Sequence, residues 1–126
     1  MTGSCPFCTL SAEHIVLANE LAVAIRDAFP VSPGHTLILP QRHVASFFDV
    51  TGEERKAILA LLQGAKLGLD AAFQPNGYNV GINDGAAAGQ TVPHVHLHLI
   101  PRYIGDSEDP RGGVRWMFPH KAKYWP

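Results

Sequence analysis

The stretch His94-Val95-His96-Leu97-His98-Leu99-Ile100 alternates histidine with an aliphatic residue and then ends on two aliphatic residues. Alternation with a period of two is typical of a β-strand with one face in the core. On such a strand the three histidines share one face, and the aliphatic residues between them face the core. A row of imidazoles is suited to catalysis or to binding a transition metal. The sequence therefore predicts a reactive histidine face.

The composition indicates one globular domain without a nucleic-acid or membrane partner. The chain has 126 residues, of which 46% are hydrophobic and 17% are charged, with a net charge of −1 when the histidines are neutral. The absence of a basic block argues against nucleic-acid binding, and no apolar run approaches the ~20 residues of a membrane span. The start, Met1-Thr2-Gly3-Ser4, lacks the pattern of a signal peptide. A cytoplasmic location is therefore expected.

Short apolar runs bounded by turn residues predict the remaining strands. Ile15–Asn19 and Ala22–Arg26 have the pattern of a hairpin, and His35–Pro40 follows a rigid proline- and glycine-containing loop. Tyr78–Asn83 alternates as a further strand that precedes the histidine stretch. Together these segments predict an antiparallel sheet of about five strands.

Helical signals lie in the middle of the chain. Thr51-Gly52-Glu53-Glu54 has the form of a capping box, and the apolar residues that follow are spaced as on a helix running from about Gly52 to Phe73. His43–Phe48 is short and apolar and is expected to form one or two helical turns. The predicted fold class is α+β, with one long and one short helix packed on the sheet.

Two cysteines, Cys5 and Cys8, flank a two-residue turn near the start of the sequence. A C-x-x-C turn lets both thiolates reach one zinc ion, but it supplies only half of a tetrahedral site. The alternatives are a redox pair or two inert cysteines. A structural disulfide is not expected in a reducing compartment.

The histidine stretch and its flanks resemble the histidine triad family. The pattern His, apolar, His, apolar, His, apolar, apolar is present at His94–Ile100, with Gly89-Gln90-Thr91-Val92-Pro93 before it and Pro101-Arg102 after it. The resemblance extends from Cys5 to about Tyr103. It implies that residues 1–126 form a single HIT-like domain, in which residues 103–126 are an aromatic-rich C-terminal tail. It also implies a homodimer.

The resemblance implies a metal centre. Bacterial members of the family, and the related galactose-1-phosphate uridylyltransferases, carry a Cys-x-x-Cys pair whose partners are an upstream histidine and the first triad histidine. In this sequence those positions are His43 and His94. The implied site is a structural zinc bound by Cys5, Cys8, His43 and His94.

The resemblance also implies a nucleotide site. It assigns Asp27 to the ribose hydroxyls, although aspartate at the end of a strand is also a common turn residue. It assigns the Asp84–Thr91 loop to the substrate phosphate, with Asn83, Gln90 and Thr91 as neutral donors; an ordinary strand connection is the alternative. His35 matches a histidine that orients His98 from behind, or it is a satisfied core histidine. Phe7, Leu10 and Ile25 form either a slot for a nucleobase or part of the core.

Imidazole chemistry and the resemblance together predict a covalent mechanism. His96 is the expected nucleophile, because a neutral imidazole that holds its proton on one nitrogen can attack phosphorus with the other. His98 is expected to donate to a phosphate oxygen, and His94 either orients the site through zinc or protonates the leaving group.

The expected activity is hydrolysis of nucleoside phosphoramidates or dinucleoside polyphosphates, most simply those of adenosine. The reaction would pass through a nucleotidyl-histidine and release the nucleoside monophosphate. The alternatives are a nucleotidyltransferase or phosphorylase, and a nucleotide-binding adaptor without catalysis.

Overall fold

One antiparallel sheet of five strands forms the body of the protein in the computed structural model, which describes residues 5–126. The strands are β1 (Ile15–Ala18), β2 (Ala22–Arg26), β3 (Thr36–Pro40), β4 (Gly77–Ile82) and β5 (Leu97–Arg102). Their spatial order is β1-β2-β3-β5-β4, with every neighbouring pair antiparallel. The predicted α+β class is confirmed. The residues used for the signal-peptide prediction, 1–4, lie outside the described part of the chain.

The long helix α1 (Gly52–Phe73) has the predicted bounds. The Thr51 side chain accepts from the backbone N–H of Glu54 at 3.0 Å, and the Glu54 carboxylate accepts from the backbone N–H of Thr51 at 2.8 Å. These bonds satisfy two N–H groups that the first helical turn leaves free. The helix ends at Gln74, which has a left-handed backbone with φ 52°.

The short helix predicted at His43–Phe48 is a single 3₁₀ turn at Phe47–Asp49. The residues before it are extended because their backbone is engaged elsewhere: the carbonyl of Val44 accepts from the N–H of Val95 at 2.8 Å. This bond joins the segment to the chain that leads into β5.

Each face of the sheet carries its own apolar cluster. The face toward α1 holds the larger cluster, which includes Ile38, Val95, Leu97 and Leu99. The opposite face holds a smaller cluster of Val23, Ile25, Leu37 and Leu39, with Phe7, Leu10 and Ile15 packed against it. The period of two along β2 and β3 sends alternate residues to the two clusters, whereas β5 contributes Leu97 and Leu99 to the larger cluster alone. The aliphatic residues between the three histidines all face the larger cluster, as predicted.

Strand β5 begins at Leu97, so only His98 of the three histidines lies within a strand. The prediction of one regular strand from residue 94 was wrong at its start. The N–H of His94 bonds to the carbonyl of Val92 at 2.8 Å, and the N–H of Val95 bonds to Val44. These local bonds replace the regular ladder, and the Phe7 ring lies against both His94 and His96, with ring centroids 5.9 and 5.0 Å away.

The tail, Tyr103–Pro126, folds back on itself through 3₁₀ turns at Gly113–Met117 and Pro119–Lys121. The Arg115 guanidinium donates to the carbonyls of Ala122 at 3.0 Å and Lys121 at 2.6 Å. The Arg111 guanidinium stacks 4.4 Å from the Trp125 ring centroid. Within residues 5–126, no helix combines the length with the apolarity that a membrane crossing requires.

Candidate functional site

The side chains of His96 and His98 lie next to each other on the sheet face opposite α1. Their ring centroids are 5.1 Å apart, and both residues are half-buried. His98 pairs with Leu37 of β3 on one side and Gly81 of β4 on the other, which places it in the middle of the sheet. Residues 5–126 provide no hydrogen-bond partner for Nε2 of either ring.

The protonation pattern of His96 follows from one backbone bond. Its Nδ1 lies 2.9 Å from the carbonyl oxygen of His94. Since a carbonyl only accepts, Nδ1 must carry the proton, and Nε2 of the neutral ring keeps its lone pair. His96 therefore has the tautomer that a nucleophile requires.

The opposite tautomer is set for His98 by a chain of two bonds. The backbone N–H of Val31 donates to Nδ1 of His35 at 3.2 Å, so the neutral His35 ring carries its proton on Nε2. That Nε2 lies 2.9 Å from Nδ1 of His98, which must accept. The proton of neutral His98 is then on Nε2. Adjacent imidazoles thus present a lone pair on His96 and an N–H on His98.

Burial favours the neutral forms of His35 and His98. Desolvation lowers the pKa of His35 below its usual value, although the nearby Asp27 carboxylate acts in the opposite direction. Desolvation also lowers the pKa of His98, and His96 and His35 lower it further. His98 can therefore donate from Nε2 at neutral pH without carrying a full positive charge.

His35 lies behind the reactive face and does not reach the surface, since it is 3% exposed. Its predicted hydrogen bond to His98 is present, so any influence on a substrate acts through His98. Asp27 has two contacts: Oδ1 accepts from the N–H of Phe29 at 2.8 Å, and Oδ2 lies 3.4 Å from Nε2 of His35. Asp27 thus has the hydrogen bond of a turn residue, and its second carboxylate oxygen faces the pair formed by His35 and His98.

Four predicted metal ligands meet at one point. The ligand atoms of Cys5, Cys8, His43 and His94, named here the metal cluster, all lie within 4.8 Å of one another. The Sγ atom of Cys5 is 3.2 Å and that of Cys8 is 3.5 Å from Nδ1 of His94, and the Sγ of Cys8 is 3.2 Å from Nδ1 of His43. In a tetrahedral zinc site, sulfur and nitrogen ligands lie about 3.5 Å apart. The spacing therefore suits zinc.

The environment of His94 favours the metal role over the alternative of protonating a leaving group. The residue is 0% exposed, and its Nε2 donates to the carbonyl of Pro40 at 2.8 Å. The proton is then on Nε2, and the Nδ1 lone pair points at the two thiols. Neither nitrogen of His94 is free for a substrate.

A second group of metal-ligand residue types, Asp27, His35 and His98, also lies close together. A metal there would require a lone pair on Nε2 of His35. The Val31 N–H already points at Nδ1 of that ring, which places the proton on Nε2. This group therefore fits a hydrogen-bond chain and does not fit a metal centre.

The Asp84–Thr91 loop, named here the glycine-rich loop, connects β4 to the histidines. Gly85 and Gly89 have φ angles of 93° and 92°, a region that side chains with a Cβ rarely adopt. Asn83 at the end of β4 and Thr91 are exposed. The loop therefore depends on its glycines for its path, and both predicted polar residues are accessible.

Gln90 points into the glycine-rich loop and not out of it. Its amide oxygen accepts from the N–H of Gly85 at 2.8 Å, and its amide nitrogen donates to the carbonyls of Ala45 at 2.8 Å and Val92 at 3.1 Å. Both amide hydrogens are thus used. This arrangement corrects the prediction that Gln90 offers a free donor to phosphate, because its side chain holds the loop in shape.

Asp84 has a structural role that the sequence analysis missed. One carboxylate oxygen accepts from the N–H of Phe47 at 2.8 Å, and both accept from the Ser46 hydroxyl at 3.0 and 3.1 Å. An aspartate before a glycine is typical of any turn. The sequence therefore carried no signal for a partner 38 residues away.

The predicted nucleobase slot lies beside the histidines. The Phe7 ring is half-buried and meets the His96 ring nearly edge-on, with centroids 5.0 Å apart. Ile25 is buried in the smaller apolar cluster, and Leu10 packs against that cluster. The three residues form an apolar surface next to the reactive face, with Ile25 as its floor.

Comparisons with known proteins agree on one family. A family model described as the HIT domain matches residues 10–105. An uncharacterized HIT-like protein of Mycoplasma genitalium is 41% identical over 106 residues, which cover 81% of this chain and 75% of that protein. A bis(5'-nucleosyl)-tetraphosphatase (asymmetrical) of Schizosaccharomyces pombe is 39% identical over 93 residues, or 74% of this chain and 51% of that protein. The crystal structure of a Zn-bound histidine triad family protein from Mycobacterium smegmatis matches with a TM-score of 0.68 and 34% identity, covering 75% of this chain and 69% of that one.

Proposed function

Because the chain belongs to the HIT domain family, we propose that it is a hydrolase that cleaves the α-phosphate linkage of adenosine phosphoramidates or dinucleoside polyphosphates. The observation that carries this proposal is the pair of opposite tautomers, with a lone pair on Nε2 of His96 and an N–H on Nε2 of His98. A nucleotide-binding adaptor would not require this arrangement. The tetraphosphatase relative from fission yeast supports a dinucleoside polyphosphate as one substrate.

The reaction we propose has two displacements at phosphorus. In the first, Nε2 of His96 forms a bond to the α-phosphorus while the bond to the leaving group breaks, and Nε2–H of His98 donates to the phosphoryl oxygen on which charge grows. In the second, water attacks the nucleotidyl-histidine, and the bond to His96 breaks to release the nucleoside monophosphate. The water proton passes to solvent, and His96 returns to its neutral tautomer.

Substrate contacts are assigned by position around the histidines. The apolar surface of Phe7, Leu10 and Ile25 would hold the nucleobase, next to His96. Asp27 would accept from the ribose hydroxyls through Oδ2, whose nearest partner is His35 at 3.4 Å. The exposed side chains of Asn83 and Thr91 would donate to the phosphates.

The metal cluster is proposed to hold a structural zinc. Zinc would join the N-terminal Cys5–Cys8 turn to His43 and His94 and would leave no open position for a substrate. The donor set, its spacing and the Zn-bound mycobacterial relative support this assignment. The side chain of His94 would be fixed by the metal, and its carbonyl would thereby hold His96.

The direct experiment is to supply adenosine phosphoramidate and diadenosine tetraphosphate separately and to measure adenosine monophosphate by chromatography. We expect release from at least one substrate, with a loss of at least about a thousandfold in His96→Ala. The matched control is His120→Ala, an exposed histidine of the tail, which should retain full turnover. Binding of adenosine monophosphate without turnover of either substrate would favour the adaptor alternative. Consumption of a substrate that requires inorganic phosphate and yields adenosine diphosphate in place of adenosine monophosphate would indicate a phosphorylase.

A further inference from the structure

The segment Arg42–Asp49, named here the bridging segment, lies between the metal cluster and the glycine-rich loop. At its start, His43 belongs to the metal cluster, with Nδ1 3.2 Å from Sγ of Cys8. Arg42 anchors the same end to α1, since its guanidinium donates to both oxygens of Glu54 at 2.9 and 2.8 Å. A displacement of His43 would therefore be transmitted along a segment that is already tied to the body of the protein.

The middle of the bridging segment is bonded to both ends of the glycine-rich loop. Asp84, the first residue of the loop, accepts from Ser46 and from the backbone N–H of Phe47. Gln90, near its end, donates to the carbonyl of Ala45. Two side chains of the loop thus hold three consecutive residues of the segment that carries a metal ligand.

A second connection runs through the backbone. The carbonyl of Val44 accepts from the N–H of Val95, the residue between His94 and His96. His94 is itself a member of the metal cluster. The bridging segment, the glycine-rich loop and the chain that carries the histidines therefore meet in one hydrogen-bonded unit, and the metal cluster lies at its edge.

We propose that Asp84 and Gln90 are positioning residues that couple the metal cluster to the glycine-rich loop, so that metal binding and nucleotide phosphate binding strengthen each other. The inference rests on the proposed function, because it takes the glycine-rich loop as the phosphate site. When zinc fixes His43, the bridging segment holds Asp84 and Gln90, and they hold the loop in the shape that the phosphate needs. Nothing in this coupling requires a contact between metal and nucleotide.

Thermodynamic linkage makes the proposal quantitative. If zinc raises the affinity for adenosine monophosphate by some factor, the nucleotide must raise the affinity for zinc by the same factor. We expect a factor of at least about five, the lower end of typical coupling between sites. Removing a positioning residue should reduce both factors toward one, while the four metal ligands remain intact.

The test measures both affinities on the full chain. Calorimetry gives the dissociation constant of adenosine monophosphate with and without zinc, and competition with a chelating dye gives that of zinc with and without the nucleotide. The variants are Asp84→Asn and Gln90→Ala. The matched control is Asp109→Asn, since Asp109 pairs with Arg111 in the tail. Amide NMR shifts of Gly85 and Gly89 on addition of zinc alone provide a readout without nucleotide.

The coupling is supported if both factors are at least about five in the unsubstituted protein, persist in Asp109→Asn and shrink in both variants, with zinc alone shifting the Gly85 and Gly89 signals. Equal nucleotide affinity with and without zinc would overturn the proposed coupling. So would Asp84→Asn and Gln90→Ala variants in which zinc raises the nucleotide affinity by the same factor as in the unsubstituted protein. Failure of the proposed function looks different, because neither substrate would then be turned over or, where the phosphate site itself is assigned wrongly, adenosine monophosphate would not bind in any state. The zinc-induced shifts at Gly85 and Gly89 would still test the connection in that case. If the zinc-free chain is unfolded, the zinc titrations with and without nucleotide still give the factor by which the nucleotide raises the affinity for zinc.

Discussion

The carbonyl oxygen of His94 lies 2.9 Å from Nδ1 of His96, while the His94 side chain faces the two cysteines 3.2 and 3.5 Å away. One residue therefore links the metal cluster to the proposed nucleophile. Its side chain faces the metal cluster, and its backbone fixes the tautomer of the neighbouring histidine. Under the proposed function, this relationship gives His94 a role that requires no contact with a substrate.

Substitution of His35 tests the chain of bonds that sets the tautomer of His98. In His35→Ala, Nδ1 of His98 loses its hydrogen-bond donor, so the proton on Nε2 of His98 can move to Nδ1. We therefore expect turnover to fall by about 10- to 100-fold with little change in nucleotide affinity. His35→Gln places an amide N–H in the same direction and should restore part of the rate. The nitrogen NMR shifts of His98 should report Nε2–H in the unsubstituted protein and in His35→Gln. The same shifts in His35→Ala would contradict the assignment.

Removal of the metal should lower stability. A structural zinc contributes its binding free energy to folding, so a strong chelator should lower the melting temperature by at least several degrees, and added zinc should restore it. Metal analysis should give about one zinc per chain, as expected for one tetrahedral site, and much less in Cys8→Ser. His14→Ala serves as the control, because among residues 5–126 the polar contacts of this exposed side chain are with its neighbours Ser11 and Glu13. A melting temperature that is insensitive to chelator in a zinc-free preparation would end the structural-zinc assignment.

The buried Glu54 carboxylate makes stability depend on acid pH. Hydrogen bonds from the Arg42 guanidinium, together with the backbone N–H of Thr51, lower the pKa of Glu54 to about 2. Because the folded pKa is below the unfolded value of about 4.3, this stabilisation is complete above that value and is lost as the pH falls toward 2. The contribution is up to about 3 kcal/mol.

Glu54→Gln should therefore lower the free energy of unfolding by about 1–3 kcal/mol at pH 7 and by much less near pH 2. The measurement is urea unfolding at a series of pH values. Glu53→Gln, an exposed neighbour in the same helical turn, is the control and should change stability by less than about 0.5 kcal/mol. A pH-independent difference for Glu54→Gln would show that the carboxylate charge is not the cause.

Two glycines should respond to alanine in opposite directions. Gly34 has φ 88°, and an added Cβ would lie 2.9 Å from Leu69 Cδ2 and 3.3 Å from the Phe73 ring. Gly34→Ala should cost more than about 1 kcal/mol, since both the backbone and the contact are unfavourable. Gly68→Ala, in the interior of α1 with open space around it, should stabilise by about 0.5–1 kcal/mol. Thermal unfolding of both variants checks the signs, and a neutral Gly34→Ala would contradict the packing described.

The strands and the helix were predictable because their signals are local. The apolar run at β2, the alternation at β5 and the capping box at Thr51–Glu54 depend only on neighbouring residues, and the structure places these elements within a few residues of the predicted bounds. The start predicted for β5 was wrong because tertiary bonds to Val44 and to the cysteines outweigh the alternation at His94.

The candidate site was predictable in its residue types but not in its hydrogen bonds. The pattern identified the three histidines and the two cysteines, and the family resemblance supplied His43, which the structure brings to the same cluster. No pattern could show that Val31 donates to His35 or that Asp84 accepts from Phe47, because both bonds use backbone N–H groups that every residue except proline possesses, and the second also joins segments 37 residues apart. The inward direction of the Gln90 side chain could not be predicted for the same reason, because its partners are also backbone groups.

The most direct test of the account is to identify the residue that carries the nucleotidyl group. The protein would be mixed with adenosine phosphoramidate or diadenosine tetraphosphate, quenched under conditions that preserve phosphohistidine, digested and mapped by mass spectrometry. The account predicts one nucleotidyl group on His96, absent in His96→Ala. A label on another residue, or turnover with inversion of configuration at phosphorus and no label at all, would contradict it.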